Sequence, residues 1–112
     1  MKVHRKMGPG YRELIYSRCL AIEFGNAGLN YHKEFEQPIY YYDNLVGKKR
    51  VDFIIEDKIC LEIKALTELT DKELNQALNY LESHKFDHGL LINFGSKSLQ
   101  FKRLIKDFKN RQ

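Results

Sequence analysis

Arg50 to Lys64 reads RVDFIIEDKICLEIK, and the pairing of its two halves decides the fold. β-Branched and apolar residues dominate VDFII and ICLEIK, and the charged turn Glu56-Asp57-Lys58 separates them, so the stretch is expected to be two short strands of a hairpin. Side chains alternate along a strand, which puts Glu62 and Lys64 on the face of Cys60 and sends Leu61 and Ile63 to the other. Antiparallel pairing keeps the sum of paired residue numbers constant. A two-residue loop at Asp57-Lys58 pairs Glu56 with Ile59 and sets Asp52 against Ile63; a three-residue loop, Glu56 to Lys58, pairs Ile55 with Ile59 and sets Asp52 against Glu62. Two-residue turns favour Asn-Gly or Asp-Gly, which Asp57-Lys58 is not, so the odd loop is expected.

In that register two carboxylates face each other with Cβ atoms about 4.5–5.5 Å apart, and they repel unless a positive charge sits between them. Hard oxygen ligands select Mg²⁺ or Mn²⁺, and Mg²⁺ commonly takes only one or two protein carboxylates. Lys64, on the face of Glu62, is placed to position or deprotonate an attacking water or to offset charge on phosphorus. The set Asp52, Glu62, Lys64 is a metal-dependent phosphodiesterase site in miniature. Any half-exposed hairpin can also carry Asp, Glu and Lys on its wet face, so these residues alone leave the function open.

With 112 residues, 43% hydrophobic and 30% charged, the chain is expected to be one α/β domain spanning 1–112, too small for a deep enclosed pocket. Its net charge of +4 permits a polyanionic partner. Lys48, Lys49 and Arg50 lead into Asp52, and Lys97, Lys102, Arg103, Lys106, Lys109 and Arg111 crowd the end, either as a solvated terminus or as phosphate contacts. Cys19 and Cys60 lie in apolar contexts without C-x-x-C spacing, so they read as reduced packing residues of a cytoplasmic protein and argue against an iron–sulfur or zinc site. MKVHRKMGPG has no apolar core and no long apolar run follows, which argues against secretion and membrane insertion.

Along the chain, Met1 to Pro9 reads as a polar lead-in and Gly8-Pro9-Gly10 as a turn. A helix is expected from Tyr11 to Asn26, its apolar stripe made by Tyr11, Leu14, Ile15, Cys19 and Ile22 and its end marked by Gly25 and Gly28. Glu13 in the first turn complements the helix dipole and neighbours Tyr16. Leu29 to Tyr42 reads as a long or bent strand with Pro38 at an edge or bulge. Tyr40, Tyr41 and Tyr42 are packing residues or a surface for stacking bases. Asp43 to Lys49 is expected to turn the chain into the hairpin. Thr70 and Glu73 form a capping box, with Leu69 and Leu74 as its hydrophobic staple, ahead of a helix whose buried stripe is Leu74, Ala77, Leu78 and Leu81. Gln76 and Tyr80, four apart, are expected on one flank of that helix, facing the hairpin. Gly89 to Gly95 reads as a buried strand parallel to that of Glu62. Leu99 to Leu104 is a last strand or the start of a helix.

His4-Arg5-x-Met7-Gly8-Pro9-Gly10, Gly10-x-x-Glu13-x-x-Tyr16, Asp52, Glu62-Ile63-Lys64, Gln76-x-x-x-Tyr80 and Asn93-Phe94-Gly95 together resemble the GxxExxY proteins of the PD-(D/E)XK nuclease superfamily, from His4 to about Arg103. The resemblance implies a restriction-endonuclease-like αβββαβ core, a mixed sheet flanked by helices. It further implies that Asp52 and Glu62 bind Mg²⁺ or Mn²⁺ with the Ile63 carbonyl, that Lys64 is catalytic, and that Glu13 faces the same site. Gln76 and Tyr80 resemble the QxxxY element that places the lysine and the nucleic-acid strand in RecB-like exonucleases. Met7 stands where the family has leucine, and only Met1-Lys2-Val3 precede the motif, so the family's N-terminal helix is expected to be absent or short.

Two functions compete. One is hydrolysis of nucleic acid, DNA before RNA, with Lys48, Lys49, Arg50, Lys102 and Arg103 on the phosphates. The other is a catalytically silent domain that binds nucleic acid or protein through the same face. A chain this small supplies one wall of a substrate groove, so a homodimer or a larger complex is expected to supply the other.

Overall fold

The hairpin forms with the odd loop: Ile55 pairs with Ile59, Ile54 with Cys60 and Phe53 with Leu61. Glu56 and Asp57 take positive φ of 53° and 55°, and the Lys58 N–H closes the turn on the Ile55 carbonyl at 3.0 Å. The computed structural model describes residues 1–84 and 86–105, so Lys106, Lys109 and Arg111 of the basic tail lie outside the described residues. In chain order the elements are α1 (Lys2–Met7), α2 (Glu13–Asn26), β1 (Tyr31–Tyr41), β2 (Asn44–Ile55), β3 (Ile59–Lys64), α3 (Asp71–His84), β4 (His88–Asn93) and β5 (Gln100–Ile105).

The strands form one sheet in the order β1-β2-β3-β4-β5, parallel between β3 and β4 and antiparallel elsewhere. α3 connects the parallel pair, as the sequence requires, and Leu99 to Leu104 resolves as the edge strand β5. Helices cover both faces. Val3, Tyr16 and Leu20 pack on Phe53, Leu61, Ile63, Ile92 and Phe94. On the other face Ala77, Tyr80 and Leu81 pack on Val51, Ile54, Cys60, Leu91 and Leu104. Among the described residues no helix is long and apolar enough to cross a membrane.

Three expectations are corrected. The lead-in is helical: α1 buries Val3, and a ring nitrogen of His4 hydrogen-bonds with the Ser96 carbonyl at 3.0 Å. The stripe of α2 is Tyr16, Ser17 and Leu20, whereas Tyr11, Leu14 and Ile22 are exposed by 48%, 37% and 64%. Apolar residues surround this helix, so periodicity selects no face, and the contact made by Tyr16 does. Its ring stacks on Phe94 at 4.6 Å and 10°. Finally, Asp43 to Lys49 is not a turn. Tyr42-Asp43 is the whole connection, with Tyr42 at φ 52°, and β2 starts at Asn44 because Leu45 and Val46 suit a strand and the Lys48 and Arg50 side chains are exposed. The register slips between Ile39 and Tyr40, leaving Val46 as a bulge, while Pro38 sits on the edge strand as expected.

α3 begins as the sequence dictates. A Glu73 carboxylate oxygen accepts from the Thr70 N–H at 2.8 Å and from the Thr70 hydroxyl at 2.9 Å, bonds that lower the Glu73 pKa, and Leu69 and Leu74 each pack against the core. The Tyr16 hydroxyl donates to the Gly8 carbonyl at 2.5 Å and accepts from the Tyr11 N–H at 3.2 Å, and so ties down the turn that contains Gly8 (φ 69°) and Gly10 (φ 113°). Tyr16→Phe keeps the stacking and orphans both backbone groups, so it is expected to lower stability by about 1–2 kcal/mol in urea unfolding.

Candidate metal and phosphodiester site

The β2–β3 ladder stops at Phe53↔Leu61, where the next pair would be Asp52 with Glu62. In its place an Asp52 carboxylate oxygen accepts the Ile63 N–H at 2.7 Å, standing in for a backbone acceptor, and β2 departs from β3. Backbone groups alternate sides along a strand, and the Lys64 carbonyl bonds the Phe94 N–H toward β4 at 2.9 Å. The Ile63 carbonyl therefore faces the β2 side, where the strands separate.

Glu62 is buried, with 8% exposure, although it is ionisable. Its Oε1 has no hydrogen-bond partner among the described residues, and the nearest cation is the Lys49 ammonium at 3.6 Å. Burial raises the Glu62 pKa, with Asp52 adding to the rise and Lys49 and Lys64 opposing it. Burial likewise raises Asp52, against the Ile63 hydrogen bond and Lys64, Lys49 and Arg50. Glu13 keeps solvent contact at the head of α2, yet partial burial raises its pKa too; Lys64 opposes that rise and Asp52 reinforces it. The five charges Glu13, Lys49, Asp52, Glu62 and Lys64 thus act on one another across a single region.

The exit of β3 is held by Asn93, which is fully buried. Its Oδ1 accepts from the N–H groups of Leu66 at 2.8 Å and Gly95 at 3.1 Å, and its Nδ2 donates to the Leu66 carbonyl at 2.8 Å and to Gln100 Oε1 at 3.0 Å. Gly95 packs so closely that a Cβ there would lie 2.5 Å from the Leu66 nitrogen and 2.6 Å from the Ala65 carbonyl carbon. This network fixes the segment leaving Lys64. In the sequence Asn93-Phe94-Gly95 is visible only as a motif, because a side chain mimicking a strand leaves no periodic signal.

Other expected site residues are not gathered equally. Tyr80 is buried in the α3 core, where burial first, and Cys60 and Glu62 next, raise the pKa of its hydroxyl. Gln76 is exposed, because α3 centres Ala77, Tyr80 and Leu81 on the sheet and Gln76 lies beyond that face. Lys48 is exposed and pairs with Glu36 at 3.9 Å. Lys49, expected on phosphates, turns to Glu62 instead. Lys102 shares a register row with Glu62 and Leu91, two strands away, or about 10 Å. Arg103 is in the row of Leu61 and Leu90 on the opposite face, so these two cations do not form one patch. Cys60 is a packing residue as expected, its buried thiol pushed up to about 12.

Among the described residues no three His, Cys, Asp or Glu side chains converge closely enough to enclose an ion. Mg²⁺ needs only one or two protein carboxylates, with water and substrate completing its shell, and an unsatisfied buried oxygen beside a second carboxylate fits that demand.

A family model for the PD-(D/E)XK nuclease superfamily matches residues 1–104. Among solved structures, the crystal structure of SSO0001 is similar with a TM-score of 0.64 and 21% identity, over 84% of this chain and 50% of that one. The chain therefore spans half the length of that protein, and the likeness is one of fold. No curated protein matches.

Two outcomes follow for the metal-free protein. Asp52→Asn keeps an acceptor for the Ile63 N–H and removes a half-buried charge that repels Glu62, so it is expected to raise stability by more than the ~0.5 kcal/mol of a surface change, whereas Asp52→Ala orphans that N–H and offsets the gain. Raised carboxylate pKa values mean that the folded chain binds more protons than the unfolded one, from the ordinary range of 3.8 to 4.5 up to the raised values. Stability from these groups therefore falls as pH rises through that window. Denaturant midpoints of wild type relative to Asp52→Asn/Glu62→Gln should decline with rising pH until the native carboxyls have ionised.

Proposed function

The chain belongs to the PD-(D/E)XK nuclease superfamily, and from that premise we propose that it is a Mg²⁺- or Mn²⁺-dependent nuclease of the GxxExxY group, acting on DNA. The observation that carries this reading is the buried Glu62 Oε1, unsatisfied and next to Asp52 where β2 leaves β3. A structural carboxylate would have its lone pairs filled by protein donors. A ligand awaiting a cation leaves one open.

Asp52 and Glu62 hold the ion, with the Ile63 carbonyl on the same side of β3. A divalent ion there supplies Lewis acidity for water activation and offsets charge on the phosphoryl oxygens. Asp52 is oriented by the bond it accepts from Ile63, which leaves its other oxygen for the ion. Lys64 leaves the sheet at the exit fixed by Asn93 and Gly95, and its ammonium orients the attacking water or stabilises the pentavalent oxyanion. Glu13, at the rim with a raised pKa, accepts or relays a proton at the carboxyl group. Lys49 neutralises Glu62 in the metal-free protein and becomes available to a substrate phosphate once a cation replaces it. Tyr80 supports Glu62 from the α3 core. A second protomer or a larger complex supplies the other wall of the substrate groove.

The test is Mn²⁺ calorimetry alongside cleavage of single- and double-stranded DNA and RNA. Wild type is expected to bind the ion, Asp52→Asn and Glu62→Gln to lose at least tenfold in affinity, and Lys64→Ala to bind it while cleavage falls at least 100-fold. Folded wild type that binds no Mn²⁺ would leave the silent binding domain as the function. Because the carboxyls must ionise to bind, affinity is also expected to fall as pH is lowered through their raised pKa values.

A further inference from the structure

β1 and β2 run past the site as a two-stranded arm whose end packs on neither core. Tyr40, Tyr41 and Tyr42 are exposed by 60%, 65% and 82%, and Leu45 and Val46 by 56% and 62%. The Tyr41 and Tyr42 rings meet edge to face at 4.8 Å and 73°. An apolar and aromatic cluster this exposed marks an interaction surface. Two observations identify the occupant. Between residues 36 and 50 the cations Lys48, Lys49 and Arg50 outnumber the acids Glu36 and Asp43, and all three lie on β2 between the aromatic tip and Asp52. The edge is also poorly suited to pairing with another copy of itself, because Pro38 lacks an N–H and the Val46 bulge twists the ladder.

We propose that the arm binds a nucleic-acid strand remote from the scissile phosphate, with bases stacking on Tyr40, Tyr41 and Tyr42 and phosphates on Lys48 and Arg50. The inference rests on the nuclease reading above and extends it to the substrate. From Asp52 to Leu45 β2 covers about 23 Å at ~3.3 Å per residue, which is about seven nucleotides at ~3.4 Å per step. Stacking on aromatic side chains tolerates any base, so this contact adds affinity and a minimum substrate length without sequence preference. The Lys48–Glu36 pair, at 3.9 Å on the surface, yields readily to a phosphate.

Fluorescein-labelled single-stranded DNA and RNA of 4 and 16 nucleotides, titrated without divalent ion, test the arm. Wild type is expected to bind the 16-mer at least tenfold tighter than the 4-mer. Replacement of Tyr40, Tyr41 and Tyr42 by alanine is expected to remove that advantage, and replacement by phenylalanine to keep it. The chain has no tryptophan, so its intrinsic emission is that of tyrosine and should be quenched by the 16-mer in the unaltered protein, a readout that needs no variant. Equal wild-type affinity for both lengths, or a folded alanine variant that keeps the advantage, overturns the proposal. So does sedimentation showing a wild-type dimer that the alanine variant dissolves with nucleic-acid affinity unchanged; the tip would then seat a second copy. Mn²⁺ calorimetry separates the two readings. Retained Mn²⁺ binding with no length effect refutes the arm alone, whereas a wild type that binds neither Mn²⁺ nor either oligonucleotide refutes the site as well.

Discussion

One hydrogen bond sets the geometry of this molecule: the Asp52 carboxylate accepting the Ile63 N–H at 2.7 Å. It satisfies a backbone donor that the antiparallel ladder would otherwise satisfy, and so allows β2 to leave β3 after three paired residues without orphaning the strand. Both sides of that separation matter. β3 keeps its parallel partner β4 and stays rigid, while its β2 side opens beside Glu62 and the Ile63 carbonyl. β2 keeps β1 and continues outward as the arm.

The carboxylates at that opening are a standing cost. Asp52 and Glu62 are desolvated and repel each other, and Lys49, at 3.6 Å from Glu62, compensates only in part, since both carboxyls still titrate above their ordinary range. Nothing in the packing requires this arrangement. An apolar pair in the same place would bury as much surface with no unsatisfied oxygen, and local departures from what stability favours concentrate where function demands them. The surrounding structure is correspondingly over-determined: Asn93 makes four hydrogen bonds, and Gly95 is packed against the Ala65-Leu66 backbone.

The parts legible in the sequence were those governed by local chemistry. The parity of the Glu56–Lys58 loop predicted the register that brings Asp52 to Glu62, and the Thr70–Glu73 pair predicted the start of α3. What escaped was decided by tertiary contact. α2 is apolar all round, so only the Tyr16–Phe94 stack reveals its buried side. The length of β2 was hidden because the backbone of its first half, Asn44 to Arg50, pairs only with the edge strand β1 and is mostly exposed, and a stretch so exposed lacks the alternation by which strands are recognised. Gln76 and Tyr80 share a helix flank, yet 40° of rotation divides the buried residue from the exposed one.

The signature residues also divide by what they do. In Gly10-x-x-Glu13-x-x-Tyr16, Gly10 supplies a positive φ and Tyr16 clamps the turn, and Glu13 alone interacts electrostatically with the carboxylate site. In Asn93-Phe94-Gly95 all three serve the scaffold: a backbone mimic, the stacking partner of Tyr16 and a close approach. The presence of these motifs therefore argues for the fold and would hold equally in a chain that had lost its chemistry. The argument for chemistry comes from residues whose placement opposes stability. Glu62 is buried with one oxygen left without a hydrogen-bond partner, Asp52 beside it is half-buried and like-charged, and an apolar pair in their place would remove both costs.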